Sequence, residues 1–194
     1  MAKTVSPERK IILKNVIVSY PQVFTAKPDQ KGNLKFSCTF LLTDQSSVEL
    51  AQAAQVAAAR DGISSHGFST DVVAQLQKGK FPTTLYTDPD DIKEKKYPKG
   101  TLAFINARSD NRPQIIDGQK APITDPRAIY AGAVVNVSLN AFPYNYENMK
   151  KGVTFGLGNI QKVRDGERID GRLSAEEEFD VALDDSAEGI NSIE

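Results

Sequence analysis

The segment Leu34-Lys35-Phe36-Ser37-Cys38-Thr39-Phe40-Leu41-Leu42 decides the fold class, because apolar and polar side chains alternate along most of its length. The alternating apolar residues occupy every second position, namely Leu34, Phe36, Cys38, Phe40 and Leu42. A period of two is typical of a strand that has one buried and one solvated face. The segment therefore predicts a strand of a half-buried sheet, with Lys35, Ser37 and Thr39 facing solvent.

Four further segments of the chain have strand character. They span residues 11–20, 102–108, 134–142 and 153–161, and they are rich in Val and Ile or alternate in polarity. In the second of them, Phe104, Asn106 and Arg108 are predicted to lie on one side. Phe36, Phe40 and Phe155 are predicted to lie in the core.

The stretch between the second and third predicted strands has helical character. Thr43-Asp44 can cap a helix over residues 48–60 that Asp61-Gly62 would end, and Gly79 would end a second helix over residues 72–78. Residues 82–100 and 109–127 are predicted as long loops, because they contain several Pro, Gly and Asp residues. Five strands with one helical insertion predict a β-rich α+β fold.

The charge of the chain is distributed unevenly. The formal net charge of the 194 residues is −1, but residues 173–194 contain eight acidic residues and no Lys or Arg. The remainder holds all 24 basic residues and 17 of the 25 acidic ones, a balance of +7. We expect a basic domain over residues 1–172 that binds a polyanion, followed by a disordered acidic tail over residues 173–194.

Residue types that perform catalysis are scarce. The chain has one histidine, His66, and one cysteine, Cys38, which excludes a zinc cluster built from His and Cys. Gly156-Leu157-Gly158 begins like a dinucleotide fingerprint, but Gln161 stands where the third glycine belongs. We therefore expect no catalytic residue, no metal and no cofactor. With no apolar run of about 18 residues, no leader segment and a single cysteine, we expect a cytoplasmic protein without a membrane span.

Several segments, taken in order, carry a resemblance to a known family. They are Val18-Ser19-Tyr20-Pro21-Gln22-Val23-Phe24, Lys35-Phe36-Ser37, Phe104-Ile105-Asn106-Ala107-Arg108-Ser109 with Arg112-Pro113, Tyr130-Ala131-Gly132, and Gly152 to Gln161 followed by Asp165-Gly166-Glu167. Over residues 11–179 the chain resembles a phage family of OB-fold proteins that bind single-stranded DNA. The resemblance implies an OB-like five-stranded barrel, DNA binding without catalysis and an acidic C-terminus. The chain ends in Asn191-Ser192-Ile193-Glu194, without the Pro-Phe tip of bacterial single-strand-binding proteins.

Binding of single-stranded DNA without sequence preference needs aromatic faces for bases and cations for phosphates. The aromatic candidates lie at strand ends, Tyr20 and Phe24 around Pro21, and Tyr144 and Tyr146 after the fourth strand. The basic candidates are Lys35, Arg108, Arg112, Lys150 and Lys151. Lys93, Lys95 and Lys96 with Tyr97 form either a loop that follows phosphates or a charged hinge.

Two other functions are compatible with the sequence. A phage structural or assembly protein built on a β-sandwich would share the β-rich body, and an enzyme of nucleic-acid metabolism is a third alternative. The acidic tail could compete with DNA for the basic groove, or it could contact a phage DNA polymerase or nuclease. Within the DNA-binding hypothesis, the expected function is sequence-independent binding in phage replication or recombination.

Overall fold

The computed structural model describes residues 7–147 and 150–171. The strands and helices, in chain order, are β1 Lys10–Pro28, β2 Leu34–Leu42, α1 Gln45–Ser65, α2 Val72–Gln77, β3 Leu85–Tyr86, α3 Pro89–Glu94, β4 Ala103–Ser109, β5 Ile115–Ile116, β6 Val134–Tyr146 and β7 Lys150–Arg164. Short 3₁₀ helices lie at Pro7–Arg9 and Pro126–Ala128. No helix in the part of the chain that the structure describes is long and apolar enough to cross a membrane.

Five strands form a closed barrel. β1 pairs antiparallel with β2 and β6, β2 with β4, and β6 with β7. A parallel contact between β4 and β7, in which Ala107 faces Phe155 and Arg108 faces Gly156, closes the ring. The short strands β3 and β5 extend it at β4 and β7. The predicted OB-like barrel with a helical insertion is thereby confirmed, and the two packed sheets of a β-sandwich are not formed.

The inner faces of the strands and one side of α1 form a single core. Cys38, Phe40 and Phe155 are almost completely buried, and Phe36 is partly buried against the same core, as predicted. Thr39, which was predicted to face solvent, is only 8% exposed, so that prediction is wrong. Leu34 is 64% exposed, so its predicted place on the buried face is wrong as well. It pairs with Pro28 at the tip of the β1–β2 hairpin, at the far end of β2 from the buried residues 38–42.

Helix α1 begins as predicted but continues past its predicted end. The Asp44 side chain accepts a hydrogen bond from the backbone N–H of Ser47 at 2.8 Å and caps the helix. Gly62 does not end the helix, which continues to Ser65. A Cβ at Gly62 would lie 2.2 Å from the ring of Phe68, so this glycine allows close packing of the ring. Gly67, with φ of +63°, follows the actual C-cap His66.

The two predicted loops contain regular structure. Residues 82–100 include β3 and α3, and residues 109–127 include β5 and the start of the second 3₁₀ helix. The prediction of loops is therefore wrong at these points, because a two-residue strand has no periodicity that a sequence can reveal. β3 has a structural consequence, since Leu85 and Tyr86 pair with Ile105 and Phe104.

Candidate nucleic-acid interface

The outward side chains of β2 and β4 form the centre of the barrel's front face. This term is used below for the outer surface of β2, β3 and β4, of β1 from Ser19 onward, and of the adjoining parts of β6 and β7. The register places Ser37 opposite Arg108 and Thr39 opposite Asn106. The Thr39 hydroxyl donates to Asn106 Oδ1 at 2.7 Å, and Arg108 is exposed beside them. In OB folds this face and the hairpin loops on either side of it are the surface that contacts oligonucleotides.

A cluster of aromatic rings lies at one end of the front face. The Tyr86 ring stacks on the Phe104 ring with centroids 4.5 Å apart, and Tyr97 meets the Phe104 edge at 5.1 Å. Phe104 is only 2% exposed because these two rings cover it, whereas both tyrosines are half-buried. Burial raises the pKa of Tyr97 above its ordinary value. Phe104 therefore supports the cluster, and the tyrosines provide its accessible surfaces.

Tyr20 lies at a β-bulge at the edge of the same face. Ser19 pairs with Thr39 and Gln22 with Ser37, so Tyr20 and Pro21 together stand opposite Cys38. Its φ is +45° and its side chain is 64% exposed. A bulky residue with positive φ costs roughly 1–3 kcal/mol, and burial of the ring does not offset this. Tyr20, Tyr97, Lys95 and Arg108 line a shared depression of about 260 Å³.

Small residues on β7 allow the aromatic side chains of β6 to lie across it. A Cβ at Gly152 would lie 2.4 Å from the Tyr144 hydroxyl, and one at Gly156 would lie 3.2 Å from the Phe142 ring. The Gly156-Leu157-Gly158 segment thus marks close approach within the sheet, as expected for glycines inside a strand. β7 contributes a flat surface to the front face next to Arg108, which faces Gly156.

The predicted residues around the β6–β7 hairpin divide between two sides of the sheet. Tyr144 and Tyr146 have ring centroids 5.4 Å apart, and Tyr146 is 61% exposed. Lys150 pairs with Tyr146 and shares its side. Lys151 points to the other side, where its Nζ donates to the Gly67 carbonyl at 2.6 Å. The structure therefore places Lys150 with the two tyrosines and separates Lys151 from them.

The remaining predicted residues lie near the β1–β2 hairpin and the end of β4. Lys35 forms an ion pair with Asp110. Phe24 packs partly against the core, and the guanidinium of Arg112 lies 5.8 Å from the centre of its ring. The structure therefore pairs Arg112 with Phe24 and pairs Lys35 with an acidic side chain.

The sequence did not identify three front-face residues, Tyr86, Phe104 and Lys31, as binding candidates, and for Lys95 it left open a phosphate-following loop or a charged hinge. Alternation placed Phe104 on the same side of its strand as Arg108, but the stack of Tyr86 on Phe104 had no local signal, because it depends on β3 pairing with β4. Lys31 lies in the β1–β2 turn with its Nζ 5.2 Å from the Tyr146 ring centre, and thus links two hairpins. Lys95 lies beside Tyr97 in the connection between α3 and β4. Because this connection is not a strand, alternation of polarity cannot predict where the Lys95 side chain points. None of the acidic side chains in residues 7–147 and 150–171 forms an ion pair with Lys31, Lys95, Arg108 or Lys150.

A closed OB-like barrel whose front face carries aromatic rings, and cations that pair with no acidic side chain of the described residues, defines a class of oligomer-binding proteins. The chain belongs to the family of the ssDNA-binding protein of Enterobacter phage Enc34, whose family model matches residues 9–190. A curated relative, protein p50 of Acyrthosiphon pisum secondary endosymbiont phage 1, is 28% identical over 179 residues, which cover 88% of this chain and 92% of the relative.

Solved structures share the fold. The single-stranded DNA-binding protein of bacteriophage Enc34 matches with a TM-score of 0.65 at 18% identity, covering 92% of this chain and 97% of that chain. The same protein in complex with ssDNA matches with a TM-score of 0.59 at 18% identity, covering 87% and 96%. The single-stranded DNA-binding protein gp2.5 of bacteriophage T7 matches with a TM-score of 0.52 at 11% identity, covering 86% and 100%.

Proposed function

We propose that this protein binds single-stranded DNA on its front face, without sequence preference and without catalysis. One observation carries the proposal. Four tyrosine rings, those of Tyr86, Tyr97, Tyr144 and Tyr146, lie on the OB surface together with cations that lack an acidic partner among the described residues. Stacked bases and neutralised phosphates are the two interactions that hold a single strand irrespective of sequence.

Each group of side chains has a separate role in this proposal. The exposed rings of Tyr20 and Tyr146 stack on bases, with Tyr86 and Tyr144 as partly covered neighbours. Arg108, Lys95, Lys31 and Lys150 neutralise phosphates. Lys35 on β2, and Arg112 with Phe24 beyond the end of β4, would hold the strand where it leaves the face.

Family membership supports DNA as the ligand. The Enc34 relative is described as an ssDNA-binding protein and has been seen in complex with ssDNA. We extend that ligand to this chain because the barrel and its front face are both present. We further propose a role in phage DNA replication or recombination in the host cytoplasm.

The acidic segment would regulate binding. Residues 173–194 lie outside the described residues, and the proposal rests on their eight acidic side chains and on the +7 balance of residues 1–172. A tethered anionic segment competes with DNA at high effective concentration even when its intrinsic affinity is weak. The same segment is our candidate contact for a phage DNA polymerase or nuclease.

Fluorescence anisotropy with labelled oligonucleotides tests the proposal. We expect the full chain to bind single-stranded homothymidine and mixed sequences with similar affinity, and duplex DNA more weakly. The variant Arg108→Gln should weaken binding, whereas Lys14→Gln, which changes an exposed lysine outside the front face, should not. The proposal would be refuted if the full chain bound none of the single-stranded oligonucleotides, or if the two variants lost the same amount of affinity.

A further inference from the structure

A second basic depression lies beside the front face. We call it the side cleft and define it by Lys27, Lys96, Arg127, Tyr130 and Arg168. Its volume is about 710 Å³, and it is bounded by β1, the connection that follows α3, and the segment after β7. Nothing in the proposed function uses these residues.

The side cleft is continuous with the front face. Tyr20, Lys95 and Tyr97 line both depressions. Two left-handed residues shape this junction, since Tyr20 has φ of +45° and Lys96, which precedes Tyr97, has φ of +54°. Tyr20 and Tyr97 therefore stand where a strand leaving the front face would enter the cleft. Tyr20 and Lys96 have backbone conformations that L-residues rarely adopt.

The cleft carries positive charge that its own acids only partly neutralise. Arg127 pairs with Asp125 at 3.0 Å, and Arg168 lies 3.6 Å from Asp170. Lys27 and Lys96 are exposed, and no acidic side chain that the structure describes forms an ion pair with either. Exposed cations that face one concave surface attract a polyanion.

Tyr130 provides a fixed ring inside the cleft. Its hydroxyl donates to the Gly166 carbonyl at 2.8 Å and accepts from the Gly166 N–H at 3.0 Å. The Arg168 guanidinium lies 4.7 Å and the Lys162 ammonium 5.8 Å from the ring centre. The ring thus holds Arg168 in position along the wall of the cleft.

We propose that a single strand bound on the front face continues past Tyr20 and Tyr97 into the side cleft, where Lys27, Lys96 and Arg168 neutralise its phosphates. This inference rests on the proposed function and adds a second segment to the same path. Short oligonucleotides fill the front face alone, and longer ones gain affinity from the cleft.

The test compares affinities along a series of homothymidine lengths, from about 6 to about 30 nucleotides, which brackets the roughly 4–16 nucleotides bound per OB fold. The variant Lys27→Gln/Arg168→Gln removes two cleft cations, and Lys14→Gln/Lys78→Gln removes two exposed cations that line neither depression. We expect the cleft variant to lose about 3- to 10-fold for long strands only, with a salt slope smaller by about 0.7 per phosphate contact. The control should bind as the unmodified protein does at every length.

Three outcomes would overturn the inference. Equal loss for short and long strands would show that the cations act on the front face, and no loss would show that the cleft holds no DNA. Tighter DNA binding by the cleft variant would indicate that the cleft binds the acidic residues 173–194 instead of DNA. If the unmodified protein fails to bind even short strands, the proposed function itself fails. Lys27→Gln alone replaces the double variant if loss of Arg168 from Tyr130 impairs folding.

Discussion

The ring of Tyr86 lies parallel to the ring of Phe104, with centroids 4.5 Å apart and planes 11° apart. Phe104 is 2% exposed, so one ring of the pair belongs to the interior and the other to the surface. Because Tyr86 stacks on a buried residue, Phe104 contributes both to the stability of the barrel and to the position of Tyr86, a candidate base-binding ring.

Replacing Phe104 should affect stability and DNA binding together. Phe104→Leu should cost about 1 kcal/mol of unfolding free energy, because it keeps apolar volume but loses the stack. It should also weaken DNA binding, since Tyr86 and Tyr97 lose their support. Phe155→Leu is the matched control, because Phe155 is 1% exposed on the inner side of the barrel. Urea unfolding and anisotropy, measured where both variants are folded, compare the two. Equal effects on binding would contradict a special role for Phe104.

The exposed ring of Tyr146 should contribute to binding but not to folding. Tyr146→Ala should weaken DNA binding by roughly 1–3 kcal/mol, the effect of losing one stacked base. Thermal unfolding should change little, because the side chain is 61% exposed. Tyr146→Phe keeps the ring and should bind normally. Tyr144→Ala should weaken binding too, but Tyr144 lies across Gly152, so its removal should also lower the melting temperature. If neither alanine variant changed the affinity for DNA, these two rings would not stack on bases, and Tyr20 would be the next candidate.

Binding should depend steeply on salt and little on sequence. Each phosphate that is neutralised on a single strand contributes about −0.7 to the slope of log K against log salt. Titrations of homopolymer and mixed oligonucleotides over a series of salt concentrations should give parallel lines. A flat response to salt would be incompatible with the cations of the front face as phosphate ligands.

Removal of residues 173–194 should tighten binding at low salt. The segment's eight acidic residues then no longer compete for the basic surface, and the gain should fade as salt screens both contacts. Thermal stability should stay nearly the same. Affinities of the full and truncated chains over one salt series provide the measurement. Equal or weaker binding by the truncated chain would exclude competition.

The cap of α1 should make a pH-dependent contribution to stability. Hydrogen bonds from Ser46 and Ser47 hold the pKa of Asp44 below its ordinary value, so the charged form stabilises the folded state. Asp44→Ala should cost about 1 kcal/mol at neutral pH. This contribution is present above the unfolded-state pKa and disappears as pH falls through the lowered folded-state pKa. The difference in unfolding free energy between Asp44→Ala and the unmodified protein, measured by urea unfolding, should therefore decrease toward zero at acidic pH. Asp71→Ala, at a position without a side-chain cap bond, should cost less.

Alternation along the chain was sufficient to predict β2 to the residue and the side of β4 that carries Phe104, Asn106 and Arg108. One face of a barrel strand packs against the core, so apolar residues recur at every second position of its sequence. The adjacent cations Lys150 and Lys151 illustrate the limit of such reasoning. They were grouped as one pair, but β7 begins at Lys150, so they point to opposite sides.

The rest of the site depends on contacts between distant parts of the chain. Tyr86 reaches the front face through a two-residue strand, which is too short to show a period. Tyr97 lies on the front face because Lys96, which precedes it, has a left-handed backbone conformation. A lysine in the sequence does not predict this conformation. Phe24 follows Pro21 closely, yet its ring packs toward the core beneath Arg112. The sequence was sufficient to select the residue types that we propose to bind DNA, but not to predict which of them lie next to each other.

The parallel contact of β4 with β7 has a consequence for how the protein is made. Arg108 and Gly156 stand side by side, although the whole of β5 and β6 separates them along the chain. A polypeptide growing from its N-terminus presents β4 with an open edge until β7 has been synthesised, and contacts between such distant segments form late. A chain that ends before β7 therefore lacks the part of the proposed DNA surface that this strand contributes, including the neighbour of Arg108. The surface that we assign to a polynucleotide is complete only after the last strand has closed the ring.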